Sequence, residues 1–321
     1  MKNKTSRILI LTLSLLLLAA VISSCNNTPQ TTEPPKTAPD TIITPPSKTP
    51  EVSYLENGLE YVIDSDISCH ITGIGTFDGT VLEIPREDAE GRLISYIDLS
   101  AFKENTSITE IIIAEGVSEV RGSAFRDCSS VKKITLPESI DTIGSFALYG
   151  LSSLEEITFP ASLTKLGEGN LINCTSLKNI SVAQGNEKYK SDGGILYNAD
   201  MTTLISYPVA RTDTDFKVPE GVKVIGNASF WGCKYIKTVT LSSTVENIAD
   251  HAFRDCTALE TLTLGEAFIR IGVGSCYNCT SLKTVNFPGT KETWDDDEKM
   301  VIANTWDKGA GKYTINYEYK G

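Results

Sequence analysis

Residues 124–144, AFRDCSSVKKITLPESIDTIG, and residues 252–272, AFRDCTALETLTLGEAFIRIG, are two copies of one unit, and that unit decides the fold. Its landmark position falls at Asn105, Cys128, Leu151, Cys174, Cys233, Cys256 and Cys279, a period of 23 residues with a single gap of 59. An aliphatic follows three residues after every landmark: Ile108, Val131, Leu154, Leu177, Ile236, Leu259 and Leu282. Alternating apolar pairs come next, such as Ile134 with Leu136 and Leu262 with Leu264, which is the pattern of a short strand with one buried face. Pro137, Pro160, Pro219 and Pro288 close these strands, where a missing amide hydrogen costs least. A second apolar set follows, Ile140 and Ile143 in one copy and Phe268 and Ile271 in another. Gly144, Gly167, Gly226 and Gly272 come directly after it, read as supplying backbone dihedrals that a side chain resists. A 23-residue unit cannot bury two apolar sets alone, so neighbours must stack and share a core.

The two quoted strings resemble the BspA-type leucine-rich repeat, and seven copies in register carry the resemblance from about residue 55 to 290. The expected fold is an α/β-type repeat solenoid: a parallel strand ladder with irregular or short helical return segments, in about eight to nine coils. Relatives of this type are associated with attachment to host matrix proteins or to other bacteria, and the resemblance implies such a role here.

The 59-residue gap is one period plus 36 residues, and Phe216, Val218 and Pro219 restore the strand columns. The additional stretch, about 186–208, has alternating runs Ile195–Tyr197 and Leu204–Tyr207 around Asn198-Ala199-Asp200, which predicts a projecting hairpin. The solenoid is expected over 51–290, with an N-terminal cap at about 51–80 and a C-terminal cap at 291–321 that includes a closing strand through Tyr313, Ile315 and Tyr317.

Ahead of it, residues 1–24 read as a lipoprotein signal peptide: a basic start at Lys2, Lys4 and Arg7, then an apolar run from Ile8 to Ile22 that is too short to span a bilayer. The end, Ile22-Ser23-Ser24-Cys25, resembles the lipobox of bacterial lipoproteins, which implies lipid on Cys25. Residues 26–50 hold seven prolines and seven threonines and read, with Cys25, as a lipidated Pro/Thr-rich stalk over 25–50. Export to the bacterial cell surface follows, on the outer membrane or on the outer face of the plasma membrane.

The net charge is −12, and losing the three bases of residues 1–24 makes it −15. Such a surface repels nucleic acid and anionic lipid, so no nucleic-acid partner is expected and membrane contact only through the lipid anchor. No catalytic signature is present. Cys276-Tyr277-Asn278-Cys279 has the spacing of a redox or metal motif, but both cysteines fall on core columns of the repeat. His70 and His251 lack a patterned neighbour, and Asp295-Asp296-Asp297-Glu298 lacks the spaced oxygens and glycine of a calcium loop. Neither cofactor nor metal is expected, and the remaining cysteines read as mostly free, buried thiols.

Two exposed columns remain as the candidate binding surface. One lies between the buried strand positions, at Ile112, Thr135, Thr158, Ser181, Lys217, Thr240, Thr263 and Asn286. The other follows the core aromatic, at Arg126, Tyr149, Trp231, Arg254 and Tyr277, residue types that anchor interfaces. The expected function is a surface lipoprotein, not an enzyme, that binds a protein ligand of host or bacterial origin. The alternative is glycan or nutrient capture, with Trp231, Trp294, Trp306 and Tyr149 stacking on sugar.

Overall fold

The computed structural model describes residues 53–296 and 300–320. The chain is a parallel β-solenoid of about ten turns. Each coil carries one strand of three or four residues in a first ladder and, in most coils, one of two residues in a second. In the first ladder, Ile111 pairs with Ile134 and Val239 with Leu262; in the second, Val120 pairs with Ile143. All these partners are 23 residues apart, so the sequence period is the physical period and each column stacks on itself. The return segments are turns and two-residue strands, and the only helix among the described residues is Lys291–Trp294.

Phe102, Phe125, Phe230 and Phe253 form an interior column in which Phe230 and Phe253 stack at 4.9 Å. The landmark cysteines sit beside it. Sγ of Cys128, Cys256 and Cys279 each lies 3.0 Å from the carbonyl oxygen of the core aromatic one coil earlier, Phe102, Phe230 and Phe253 respectively. The column therefore selects a small apolar group with a weak donor. All seven cysteines of the described residues are free and buried, and burial pushes the Cys128 and Cys174 thiols up to about 12. Thiolate chemistry at neutral pH is closed to both.

The repeat glycines serve a different purpose from the one expected. Gly144 and Gly167 do not adopt positive φ. A Cβ on Gly144 would lie 2.5 Å from the Gly122 nitrogen, and one on Gly167 2.4 Å from that of Ser145. They are glycine because neighbouring coils touch there, backbone to backbone. Gly144→Ala is expected to cost about 1–3 kcal/mol through this overlap, read as a lowered thermal midpoint; an unchanged midpoint would contradict the account. Left-handed backbone occurs instead in two turn columns, one of which runs through Asp127, Gly150, Asn173, Gly232, Asp255 and Asn278.

The extra stretch does not project. Strands Tyr189–Asp192, Ile195–Asn198 and Thr203–Ser206 form an antiparallel meander, and the last pairs in parallel with Val224–Ile225, so it enters the second ladder. Ile195, Leu196 and Tyr197 are all buried because both faces of their strand are covered. Leu196 joins the N-terminal core cluster, whereas Ile195 and Tyr197 join the C-terminal one. Arg211 fastens the meander, reaching the Gly193 carbonyl and, at 2.7 Å, Asp213.

At the ends, strands Ser53–Tyr54, Glu60–Ser65 and Ser68–Gly73 form an antiparallel cap that passes into the second ladder through Leu93–Ile97. Strand Thr314–Asn316 closes the first ladder against Thr284–Asn286. Cys25, expected to carry lipid, and the segments expected to be a signal peptide and a stalk lie outside the described residues, as do Asp297 and Glu298 of the acidic run.

Candidate functional site

The strand-face column exists, but in three blocks. Ile112 pairs with Thr135, Thr158 with Ser181, and Lys217, Thr240, Thr263 and Asn286 follow one another in register. Thr135, Thr158 and Lys217 are exposed, while Ser181, Thr240 and Thr263 are half-buried. Asn286 is buried, donating to Thr263 Oγ1 and accepting from Asn316 at 2.9 Å each. The C-terminal end of the column is thus occupied with bonds to itself.

The block boundaries differ. Between Asn179–Val182 and Asp215–Lys217 the meander covers the edge: Val182 N–H donates to Ser191 Oγ, and Ile180 N–H to the Gly194 carbonyl. Between Lys133–Thr135 and Glu156–Phe159 nothing intervenes, and the two strands belong to separate sheets. The second ladder continues without a break on the same two coils, where Lys165 pairs with Thr142. The solenoid is therefore opened on one side only. Leu151 offers a cause. It stands fully buried where adjacent coils have cysteine, in the turn that leads to Glu156, and takes more room than a thiol while offering no donor.

The opening is a cleft of about 910 Å³, lined on one side by Lys133 and Thr135 and on the other by Glu156 and Thr158. Lys133 pairs with Glu110 and Lys178 with Glu155, at 2.7 Å each, so charges of both signs flank it. Main-chain N–H and C=O groups that the ladder pairs elsewhere lack strand pairing here, which leaves polar backbone exposed at the cleft.

The second column is brought together as two cation–π stacks. The Arg126 guanidinium lies 4.9 Å from the Tyr149 ring centre, and that of Arg254 is 4.5 Å from Trp231 and 4.6 Å from Tyr277. All five residues are half-buried, so each offers a partner only part of its surface. Of the other tryptophans, Trp306 is buried, and Trp294 packs edge-on against Phe287 and Trp306 in the C-terminal cap.

One polar cluster escaped the sequence reading. His70 Nδ1 is 2.9 Å from Asp64, its ring stacks on Tyr96 at 4.4 Å, and Arg121 covers the same tyrosine at 3.6 Å. Arg121 also reaches Asp98 at 3.0 Å. Burial acts to raise the Asp98 carboxyl, yet the Leu99 amide, Arg121 and His70 together hold it below its ordinary range. The spacings 70 to 96 and 96 to 121 do not match the period, which hides the cluster in the sequence. His251 is elsewhere, 5.8 Å from Trp231. Among the described residues, no group of three His, Cys, Asp or Glu side chains is placed to hold a metal ion.

The model of the BspA type leucine rich repeat region matches residues 95–205 and 211–297, in six copies, more than half of the chain. The chain belongs to the BspA-type leucine-rich repeat family. No curated protein matches it. Among solved structures, the pneumococcal vaccine antigen PcpA is similar, at 21% identity and TM-score 0.54, over 85% of this chain and 83% of that one. A leucine rich cell surface protein from Faecalibacterium prausnitzii A2-165 has 18% identity and TM-score 0.45, over 85% of this chain and 96% of that one. A T. pallidum leucine rich repeat protein has 23% identity and TM-score 0.43, over 71% and 89%. At these identities the likeness to PcpA supports the BspA-type solenoid and nothing finer.

Proposed function

We propose that this BspA-type protein is a lipid-anchored protein of the bacterial cell surface that binds a protein partner, as an adhesin for host matrix or for other bacteria, through its strand face. The observation that carries the reading is the open interval between Lys133–Thr135 and Glu156–Phe159, where two expected contact residues, Thr135 and Thr158, meet around unpaired main-chain groups. Family membership supports it. Glycan capture has less support, since Trp306 is buried and Trp294 is packed against the cap.

The test uses cells displaying the full chain, presented with immobilised fibronectin, fibrinogen and whole partner bacteria. Thr135→Arg/Thr158→Arg fills the cleft from two exposed positions, and a loss of about tenfold or more in binding is expected, with folding unchanged by circular dichroism. Uniformly flat binding by the unaltered chain across the panel would sink the proposal.

A further inference from the structure

The extra stretch has a consequence at one corner of the solenoid. Five residues lead from the second-ladder position Ile225 to the core aromatic Phe230 in a regular coil. Leu204 pairs with Ile225, and Tyr207 N–H donates to Ser229 just as Phe230 N–H donates to Ala252, so Leu204 and Tyr207 occupy the same two columns. Only three residues lead from Leu204 to Tyr207. This coil's corner is two residues short.

The short corner leaves a notch of about 440 Å³ between the coil of Gly169 and the coil of Ala228, with Ile205 and Ser206 at its floor and Trp231 on its wall. Coils two steps apart are about 9.6 Å apart at a strand spacing of ~4.8 Å, which leaves room for one polypeptide backbone. The corner hydrogen bonds are missing there as well. In other coils three main-chain N–H groups donate across to the next coil, as Ser123, Phe125 and Asp127 do to Ser145, Ala147 and Tyr149. Among the described residues, their counterparts Gly169, Leu171 and Asn173 have no such partner, and on the far side the carbonyls of Asn227 and Trp231 receive no main-chain bond. The intervening coil is present at Tyr207, whose N–H donates to Ser229, and at Val209, which lies beside Gly232, so the vacancy is the corner itself, where the unpaired Gly169 N–H faces the unpaired Asn227 carbonyl.

Two further features belong to the notch. Phe146, which lines it, is held at φ 58° and is 38% exposed, an unfavourable conformation for a bulky residue and an unfavourable exposure for an aromatic one. Glu168, also on the lining, is exposed and has no ion-pair partner among the described residues, in a chain already strongly acidic.

We propose that the notch binds an extended segment of a partner polypeptide, which supplies the missing corner. The segment runs between Gly169 and Ala228 and takes up the Gly169 N–H and the Asn227 carbonyl. It places an apolar side chain over Ile205 against Trp231 and sets a basic residue beside Glu168. Extended peptides that add to unpaired backbone derive affinity from main-chain bonds and specificity from the adjoining pocket. The site is separate from the strand-face cleft, and its failure leaves that reading intact.

The test pans a displayed library of random seven-residue peptides on the full-length chain. Enrichment of an aliphatic or aromatic residue next to Lys or Arg is expected. Inserting Gly-Ser between Ile205 and Ser206 restores the five-residue corner and should weaken the enriched peptides at least about tenfold. Glu168→Gln, at an exposed position, should weaken them by a few-fold and flatten their salt dependence. It serves where the insertion disturbs folding. Thr135→Arg/Thr158→Arg should leave them unchanged. The proposal is overturned by no enrichment, by enriched peptides that bind the insertion variant and Glu168→Gln as well as the parent, or by a notch occupied only by oligosaccharide probes.

Discussion

Asp88→Ala is expected to destabilise the protein by about 3–5 kcal/mol, among the largest effects of any single substitution, because it strands a half-buried guanidinium. Asp88 sits in the loop between strands Val81–Ile84 and Leu93–Ile97, with its side chain fully enclosed. One carboxylate oxygen accepts the amides of Glu90 and Arg92 at 3.0 and 2.9 Å, and the other meets the Arg92 guanidinium at 2.5 Å. Arg92 is 16% exposed, and it also donates to the Tyr61 hydroxyl of the N-terminal cap at 3.3 Å. The group therefore ties the cap to the first coils. A neutral small residue removes three interactions and leaves the arginine with Glu90, on the solvent side, as its remaining anion.

The pH dependence follows from the same contacts. Burial alone would raise the Asp88 carboxyl, but the Arg92 and Glu90 amides and the Arg92 guanidinium hold it below its ordinary value. The folded value thus lies below the unfolded one, near 3.9. Its contribution is fully present above about pH 4–5 and is lost as the pH falls through the folded value. Thermal midpoints from pH 7 to pH 2 should fall in acid for the parent and fall less for Asp88→Ala. Asp88→Asn keeps one acceptor without the charge and should lie between them. A variant within about 1 kcal/mol of the parent at neutral pH would show that the loop does not depend on this ion pair.

Much of this architecture was legible because a stacked repeat turns three-dimensional neighbours into residues 23 apart. Ile111 and Ile134, or Val239 and Leu262, are read together from the sequence without any knowledge of the fold. What was missed departs from that period or depends on distances between coils. Gly144 looks like a turn glycine in one dimension; only the approach of Gly122 from the preceding coil reveals its reason. The left-handed column was open to inspection, since Asp127, Gly150, Asn173, Gly232, Asp255 and Asn278 are all residue types that tolerate it.

The binding candidates divide in the same way. Thr135 and Thr158 were placed on one face by alternation, but the opening between their strands has no signature in either strand. The signal is Leu151, a departure from cysteine in a turn. The short corner is a matter of counting, yet the count from Leu204 to Tyr207 acquires meaning only once Tyr207 is known to stack on Phe230, at 4.9 Å. Pro208 follows it, and no landmark cysteine marks the coil.

That stack leads to the second large effect. Phe230→Ala is expected to cost about 3–5 kcal/mol, since the ring is fully buried between Tyr207 and Phe253 and its loss leaves a cavity that a rigid ladder cannot close. The location gives the substitution a second consequence. Core packing is divided at the meander, with Leu196 in one cluster and Ile195, Tyr197 and Phe230 in the other. In a solenoid each coil is stabilised by its neighbours alone, so damage spreads along the chain only as far as those interfaces hold. Phe230 lies within the C-terminal cluster, one coil from the seam. Hydrogen exchange in Phe230→Ala should therefore accelerate across residues 203–286 while the amides of 110–166 keep most of their protection, and denaturant unfolding should separate into two transitions. A single transition with uniform loss of protection would mean that the meander couples the two clusters more tightly than the division of their cores implies.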